Sequence, residues 1–180
     1  MATLNNRFLA EADFAEQHEI EIAAPREAVW AAWQGMSISD SPPPVRMLIA
    51  IRNMLARVRT GHAQLDMPDM FIPLIDDRPV ECVGGLVGRW WSFGMHGNRS
   101  EINGPGEFLA FAEPGYGKAT FHMRFEEIGH ERTHVITETR VKCSDEASRR
   151  AMARYWRLIS PFSGFVRIML LRTLRTRATR

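Results

Sequence analysis

The chain predicts an α+β fold, an antiparallel sheet closed by one long C-terminal helix. Three observations carry this. Residues 118–128 alternate, with Ala119, Phe121, Met123 and Phe125 on one face and Thr120, His122, Arg124 and Glu126 on the other, which is the period of a strand. Residues 133–143 are rich in Val, Ile and Thr, side chains that suit a pleated surface. Beyond Ser144, Met152, Tyr155, Trp156, Ile159, Val166, Met169, Leu170 and Leu174 recur at helical spacing.

Taken in order, residues 1–16 read as a loosely ordered arm, and 17–180 as one domain. His18 to Ala23 reads as a short strand with Ile20 and Ile22 on one face. Pro25 then opens a helix carrying Trp30 and Trp33, since proline suits a first helical position. Three prolines at 42–44 restart the chain. A second helix is expected from Val45 to about Arg59, with Met47, Leu48, Ile51, Met54, Leu55 and Val58 on its apolar side.

The middle reads as β. Runs at 79–87 and 88–93 flank Gly84-Gly85, where a bulge or bend is expected. Asn103-Gly104-Pro105-Gly106 signals a turn, and 107–112 a strand. A turn at Gly129-His130 joins the two most regular strands. Ser144 is the expected N-cap of the final helix, which Pro161 and Gly164 should kink or interrupt. The order is strand, two helices, five or six strands, one helix.

Composition narrows the class. With 180 residues, 45% hydrophobic, 24% charged and 9% aromatic, the chain can bury a sizeable core, which excludes disorder, collagen and coiled coil. Two cysteines, Cys82 and Cys143, make no disulfide framework and no metal-ligand spacing. A reduced, cytoplasmic location is the expectation. The start lacks a signal peptide's apolar region, and the longest apolar run, Ile168 to Leu171, is too short to span a bilayer. Stable membrane insertion is therefore not expected. Residues 147–180 hold nine arginines and no acid, leaving 14 basic and 21 acidic groups on 1–146. That asymmetry reads as the solvated face of a helix rather than as a nucleic-acid site.

Several segments resemble a known superfamily. Ile20-Glu21-Ile22-Ala23-Ala24-Pro25 leading to Trp30 is similar to the opening strand and helix of START-like (SRPBCC) proteins. Glu81-Cys82-Val83-Gly84-Gly85-Leu86-Val87-Gly88-Arg89-Trp90-Trp91 resembles a stretch of an uncharacterised bacterial group within it. Thr137-Glu138-Thr139-Arg140-Val141 and Tyr155-Trp156-Arg157-Leu158-Ile159, with Pro161, Ser163 and Gly164, complete the likeness. The resemblance implies the helix-grip fold. In it a curved antiparallel sheet wraps a long C-terminal helix in β-α-α-β(5–6)-α order, around a mostly apolar cavity roofed by the two short helices. Fold of this kind hosts carriers and cyclases alike.

The functional expectation is binding of a hydrophobic, lipid-like small molecule in that cavity, with no cofactor. Trp30, Met47, Ile51, Phe71, Trp90, Phe111, Phe121, Met123 and Trp156 are the expected apolar lining, and His122, Glu138 and Arg140 the polar part. If paired residue numbers on the last two strands sum to 260, His122 faces Glu138 and Thr120 faces Arg140. A one-residue slip puts them on opposite faces. A His–Glu pair in an apolar cavity can do acid–base work, so a polyketide cyclase or aromatase is the enzymatic alternative. An interaction module using the basic last helix is another. Arg89 is expected to pair with Glu81 or Glu138. His130-Glu131-Arg132-Thr133-His134 matches H-E-x-x-H, but it falls on a turn and strand. Residues four apart there stand about 13 Å apart, too far to share a zinc.

Overall fold

The structure, a computed structural model, describes residues 4–36, 43, 71–92 and 101–180. Among these lie a four-residue helix α1 (Asn5–Phe8), strand β1 (Phe14–Ile22), helix α2 (Arg26–Gln34) and strands β2 (Ile72–Asp77) and β3 (Glu81–Gly88). Helix α3 (Pro105–Ala110), strands β4 (Gly117–Glu127) and β5 (Thr133–Cys143) and helix α4 (Glu146–Ala178) follow. The five strands form one antiparallel sheet in the order β1-β5-β4-β3-β2. The expected helix at 45–59, with Met47 and Ile51, lies outside the described residues.

The two regular strands form where the alternation puts them. Gly129, at φ +74°, makes their turn, and Ile128 N–H closes it on the Arg132 carbonyl at 2.8 Å. That positive φ suits glycine, which has no Cβ to clash. Helix α4 runs unbroken for 33 residues through Pro161, which faces solvent. Its cap is Asp145 rather than Ser144. The Asp145 carboxylate accepts the Ser148 N–H at 2.7 Å, while the Ser144 hydroxyl donates to the Tyr116 carbonyl at 3.0 Å.

Other expectations give way to packing. Residues 4–16 are no loose arm. Asn5, Phe8 and Leu9 are buried against the sheet, and β1 starts at Phe14, four residues before the predicted strand. Residues 105–110 are helical, not extended, because Gly104 is extended at the N-cap, Pro105 sits in the first turn and Phe108 is fully buried. β3 ends at Gly88, and Trp90–Ser92 form a single 3-10 turn instead of a strand. β2 has no counterpart in the sequence reading. The irregularity expected at Gly84-Gly85 is present, but Leu74 on β2 is the extra residue, between Pro73↔Gly84 and Ile75↔Val83.

The sheet is covered on both faces. α2 and α4 pack on one through Val29, Trp30, Met123, Phe125, Val135, Leu171 and Leu174. α1 and α3 pack on the other through Phe8, Leu9, Leu74, Val83, Val87 and Phe108. Gly85 permits this second contact, since a Cβ there would stand 2.9 Å from Leu74 and 3.0 Å from Phe108.

Candidate functional site

Register decides which side chains share a face, because successive residues of a strand point to opposite sides. β4 and β5 pair with numbers summing to 260, so His122 faces Glu138 and Thr120 faces Arg140. β3 adds Glu81↔Arg124 and Val83↔His122 to the same side. Val83 packs with Phe8 and Leu9, so this outer face is the one beneath α1.

The outer face holds a buried polar network that pins α1. His122 Nε2 is 3.0 Å from Glu81 Oε2, and Arg124 Nε is 4.0 Å from the same oxygen. The Leu4 N–H donates to Glu81 Oε1 at 3.2 Å. Asn5 Nδ2 donates to Glu138 Oε2 and Arg140 Nε to Glu138 Oε1, both at 2.8 Å. Arg140 also donates to Asn6 and, at 3.0 Å, to the Leu9 carbonyl. His122, Glu138 and Arg140 are thus not on the face that α4 covers, contrary to expectation. His122 is 1% exposed and its partner is Glu81, not Glu138. A cyclase-type mechanism built on His122 and Glu138 loses its access to a substrate held under α4.

One other sequence-derived pairing also changes. Glu81 is committed to His122 and Arg124, while Arg89 lies 4.2 Å above the Tyr116 ring. In the H-E-x-x-H stretch, His130 is in the turn and His134 on β5, beside Glu19 and Glu126 at 3.4 and 3.6 Å. Among the described residues no group of three His, Cys, Asp or Glu side chains can hold a metal ion.

Four cross-strand rows span the middle of the face under α4. Leu86, Ala119, Val141 and Phe14 form one; Gly84, Phe121, Thr139 and Glu16 the next; Cys82, Met123, Thr137 and His18 the third. Phe125, Val135 and Ile20 form the fourth. The first and last are apolar. The first seals with Trp90, Trp91, Met152, Tyr155 and Trp156, the last with Trp30, Leu171 and Leu174. Between these two apolar rows, polar groups stand in the two middle ones.

There Glu16, His18, Thr137 and Thr139 come from the sheet and Arg167 from α4. His18 Nε2 is 2.9 Å from Glu16 Oε1, which orients the imidazole. Arg167 donates to Thr139 Oγ1 and, at 3.5 Å, to Thr137 Oγ1, and its guanidinium carbon lies 5.2 Å from the Phe121 ring centre. Burial pushes the Arg167 pKa down, against a smaller opposing pull from Glu16. Among the described residues no carboxylate is in ion-pair contact with it. Glu16 Oε2 is buried with no hydrogen-bond partner. Gly164, one turn before Arg167, lets the Glu16–His18 pair press against the helix.

Of the expected lining residues, Phe71, Phe121 and Met123 stand at these middle rows. Phe71 lies over Gly84 with its ring centre 5.6 Å from that of Phe121. Trp30 is 5.1 Å from Phe125 in one apolar end, and Trp90 and Trp156 belong to the other. Phe111 is elsewhere. It stacks on Tyr116 at 5.4 Å, beside a cleft of about 190 Å³ that also touches Lys118 and Lys142. Lys118 there is held by the Phe108 and Leu109 carbonyls, both at 3.3 Å. The two cysteines are inert. Burial pushes the Cys82 thiol up to about 11 and Cys143 up to about 12.

Sequence reasoning missed Glu16, His18, Thr137, Thr139 and Arg167 as a group, although a signal was present. His18 has the parity of Ile20 and Ile22, and Thr137 and Thr139 that of Val135 and Val141. Arg167 falls four and seven residues before Leu171 and Leu174, on the buried stripe of α4.

No protein-family model matches the chain, and no curated protein matches it in sequence. Among solved structures it is similar to a conserved protein from Geobacillus kaustophilus, at 10% identity over 92% of this chain and 95% of that one, with a TM-score of 0.46. A second is the Zhui aromatase/cyclase from Streptomyces sp. R1128, at 11% identity over 93% and 94%, with a TM-score of 0.32. A third is norcoclaurine synthase from Thalictrum flavum, solved with dopamine and hydroxybenzaldehyde, at 11% identity over 91% and 84%, with a TM-score of 0.35. The chain's own topology is a five-stranded antiparallel sheet, entered through a strand and a helix, with α4 laid along its inner face: the helix-grip fold.

Proposed function

We propose that the chain binds a hydrophobic small molecule between the sheet and α4, over the two middle rows. One observation carries this reading. Phe121 sits on β4, the central strand, on the face that α4 covers, yet it is only half-buried, whereas Met123 and Phe125 on the same face are 0% exposed. A ring left half-exposed on a covered face, beside the contact of Gly164 with Glu16 and His18, leaves room for a guest. Phe71 and Phe121 offer it an apolar wall, and the polar groups beside them give one point of orientation. Sites for small molecules commonly combine a mainly apolar wall with a few placed polar groups.

Native mass spectrometry of protein purified from its own host tests this. A co-purifying apolar molecule, lost or weakened in Phe121→Asp, is the expected result. A bare protein that also leaves an apolar fluorophore unbound would overturn it. No described helix is long and apolar enough to cross a membrane, so we place the binding function in a domain that works without spanning one.

A further inference from the structure

We infer that the guest is an amphiphilic acid, an apolar body ending in one carboxylate that docks on Arg167; this rests on the binding site proposed above. A guanidinium taken out of water needs an anion or a full set of acceptors. Arg167 has two threonine hydroxyls and an aromatic face, all neutral. Among the described residues the acid that acts on it is Glu16, which does so only at a distance and has one oxygen already engaged by His18. Guanidinium carries five N–H donors in a planar fork, so the donors not spent on Thr137 and Thr139 remain for a ligand. A carboxylate matches that fork in shape and charge.

Placement agrees with chemistry. Arg167 leans over Phe121, the half-buried ring on the central strand, and Phe71 stacks beside that ring. A head group on the guanidinium therefore puts the apolar body along Phe121 and Phe71. Glu16 is the discriminating neighbour. Its buried Oε2 repels a second negative charge at the head group but accepts from a donor, which favours a carboxylate over a phosphate monoester. The apolar wall disfavours a second carboxylate at the far end of the chain.

Decanoate, decanol and sebacate, the ten-carbon diacid, serve as probes, followed by calorimetry near pH 7.5. The wild type should bind decanoate at least about tenfold tighter than decanol, as a charge-assisted contact implies, and sebacate more weakly than decanoate. Arg167→Gln, which keeps a donor for Thr139, should bind both ten-carbon ligands alike. Glu16→Gln should strengthen decanoate and widen its preference over decanol, a readout that stands even if the Arg167 variant does not fold. Equal affinity for acid and alcohol in the wild type, or an acid preference that survives Arg167→Gln, overturns the inference and leaves the binding site intact. Binding of neither probe overturns the site itself and the inference with it.

Discussion

Gly164 on α4 lies against Glu16 on β1: a Cβ at position 164 would stand 2.6 Å from Glu16 Oε1 and 3.3 Å from His18 Nε2. In an exposed helix interior, Gly→Ala stabilises by about 1 kcal/mol through backbone entropy. Here the added methyl meets a buried carboxylate, and overpacking costs roughly 1–3 kcal/mol. Gly164→Ala should therefore lower stability by about 1 kcal/mol net. In a Glu16→Ala background the same change should become neutral or stabilising. Urea unfolding of the four proteins in this cycle measures it, and a stabilising Gly164→Ala in the native background rules out the contact.

That contact also shows where the sequence stops being legible. The β4–β5 hairpin and the long helix are written locally, in period-2 and 3.6-residue patterns that continue for many residues. Even their register was one of two stated options. The rest depends on partners distant in the chain. Residues 105–110 can be strand or helix by propensity, and Phe108 settles it by filling the space over Gly85. Residues 4–9 are too short a stretch to show a strand or helix period, yet Asn5 and Leu4 find Glu138 and Glu81 more than 70 positions away. The faces of the sheet were the harder matter. A His and a Glu on neighbouring strands invite an active-site reading, but only the covering helices reveal which face is interior. Arg167 was counted with the solvated arginines of α4 because its buried side is set by Thr137 and Thr139 on another element.

Phe121 and Phe125 lie four residues apart on the same strand face and should separate stability from binding. Phe125 is fully buried against Trp30, so Phe125→Ala should cost about 3–5 kcal/mol. Phe121 is half-buried, so Phe121→Ala should cost no more than about 1–2 kcal/mol, since less apolar area leaves the core. Its loss should fall on affinity for an apolar ligand instead. Denaturant unfolding with ligand titration on both variants checks this, and equal stability losses would contradict a half-open middle.

Asp145 links the cap of α4 to acid stability. Its carboxylate is held down to about 2 by the Ser148 N–H and then the Gly115 N–H. A carboxyl whose folded pKa lies below its unfolded value stabilises above the unfolded pKa, near 4, and loses that contribution as pH falls towards the folded one. Wild type should be more stable than Asp145→Asn at pH 7. The gap should shrink between about pH 4 and pH 2. Melting temperatures of both proteins across that range give the answer, and a gap independent of pH would mean that the charge contributes nothing to the cap.

Glu138 should prove to be a fastener rather than a catalytic group. It accepts from Asn5 on α1 and from Arg140 on its own strand. Removing it leaves a buried amide unpaired and one arginine short of its anion. Losses of this kind run to about 3–5 kcal/mol for a fully buried pair, and less here because Arg140 keeps the Leu9 carbonyl. Glu138→Ala should cost about 2–3 kcal/mol and speed hydrogen exchange at residues 5–9. Affinity for an apolar ligand should stay unchanged, because the side chain lies on the far side of the sheet from Phe121. His122→Ala should behave in the same way through Glu81 and the Leu4 amide. The opposite pattern, intact α1 protection with weakened ligand binding, would return both residues to the site and require the outer face to be the one that meets the ligand.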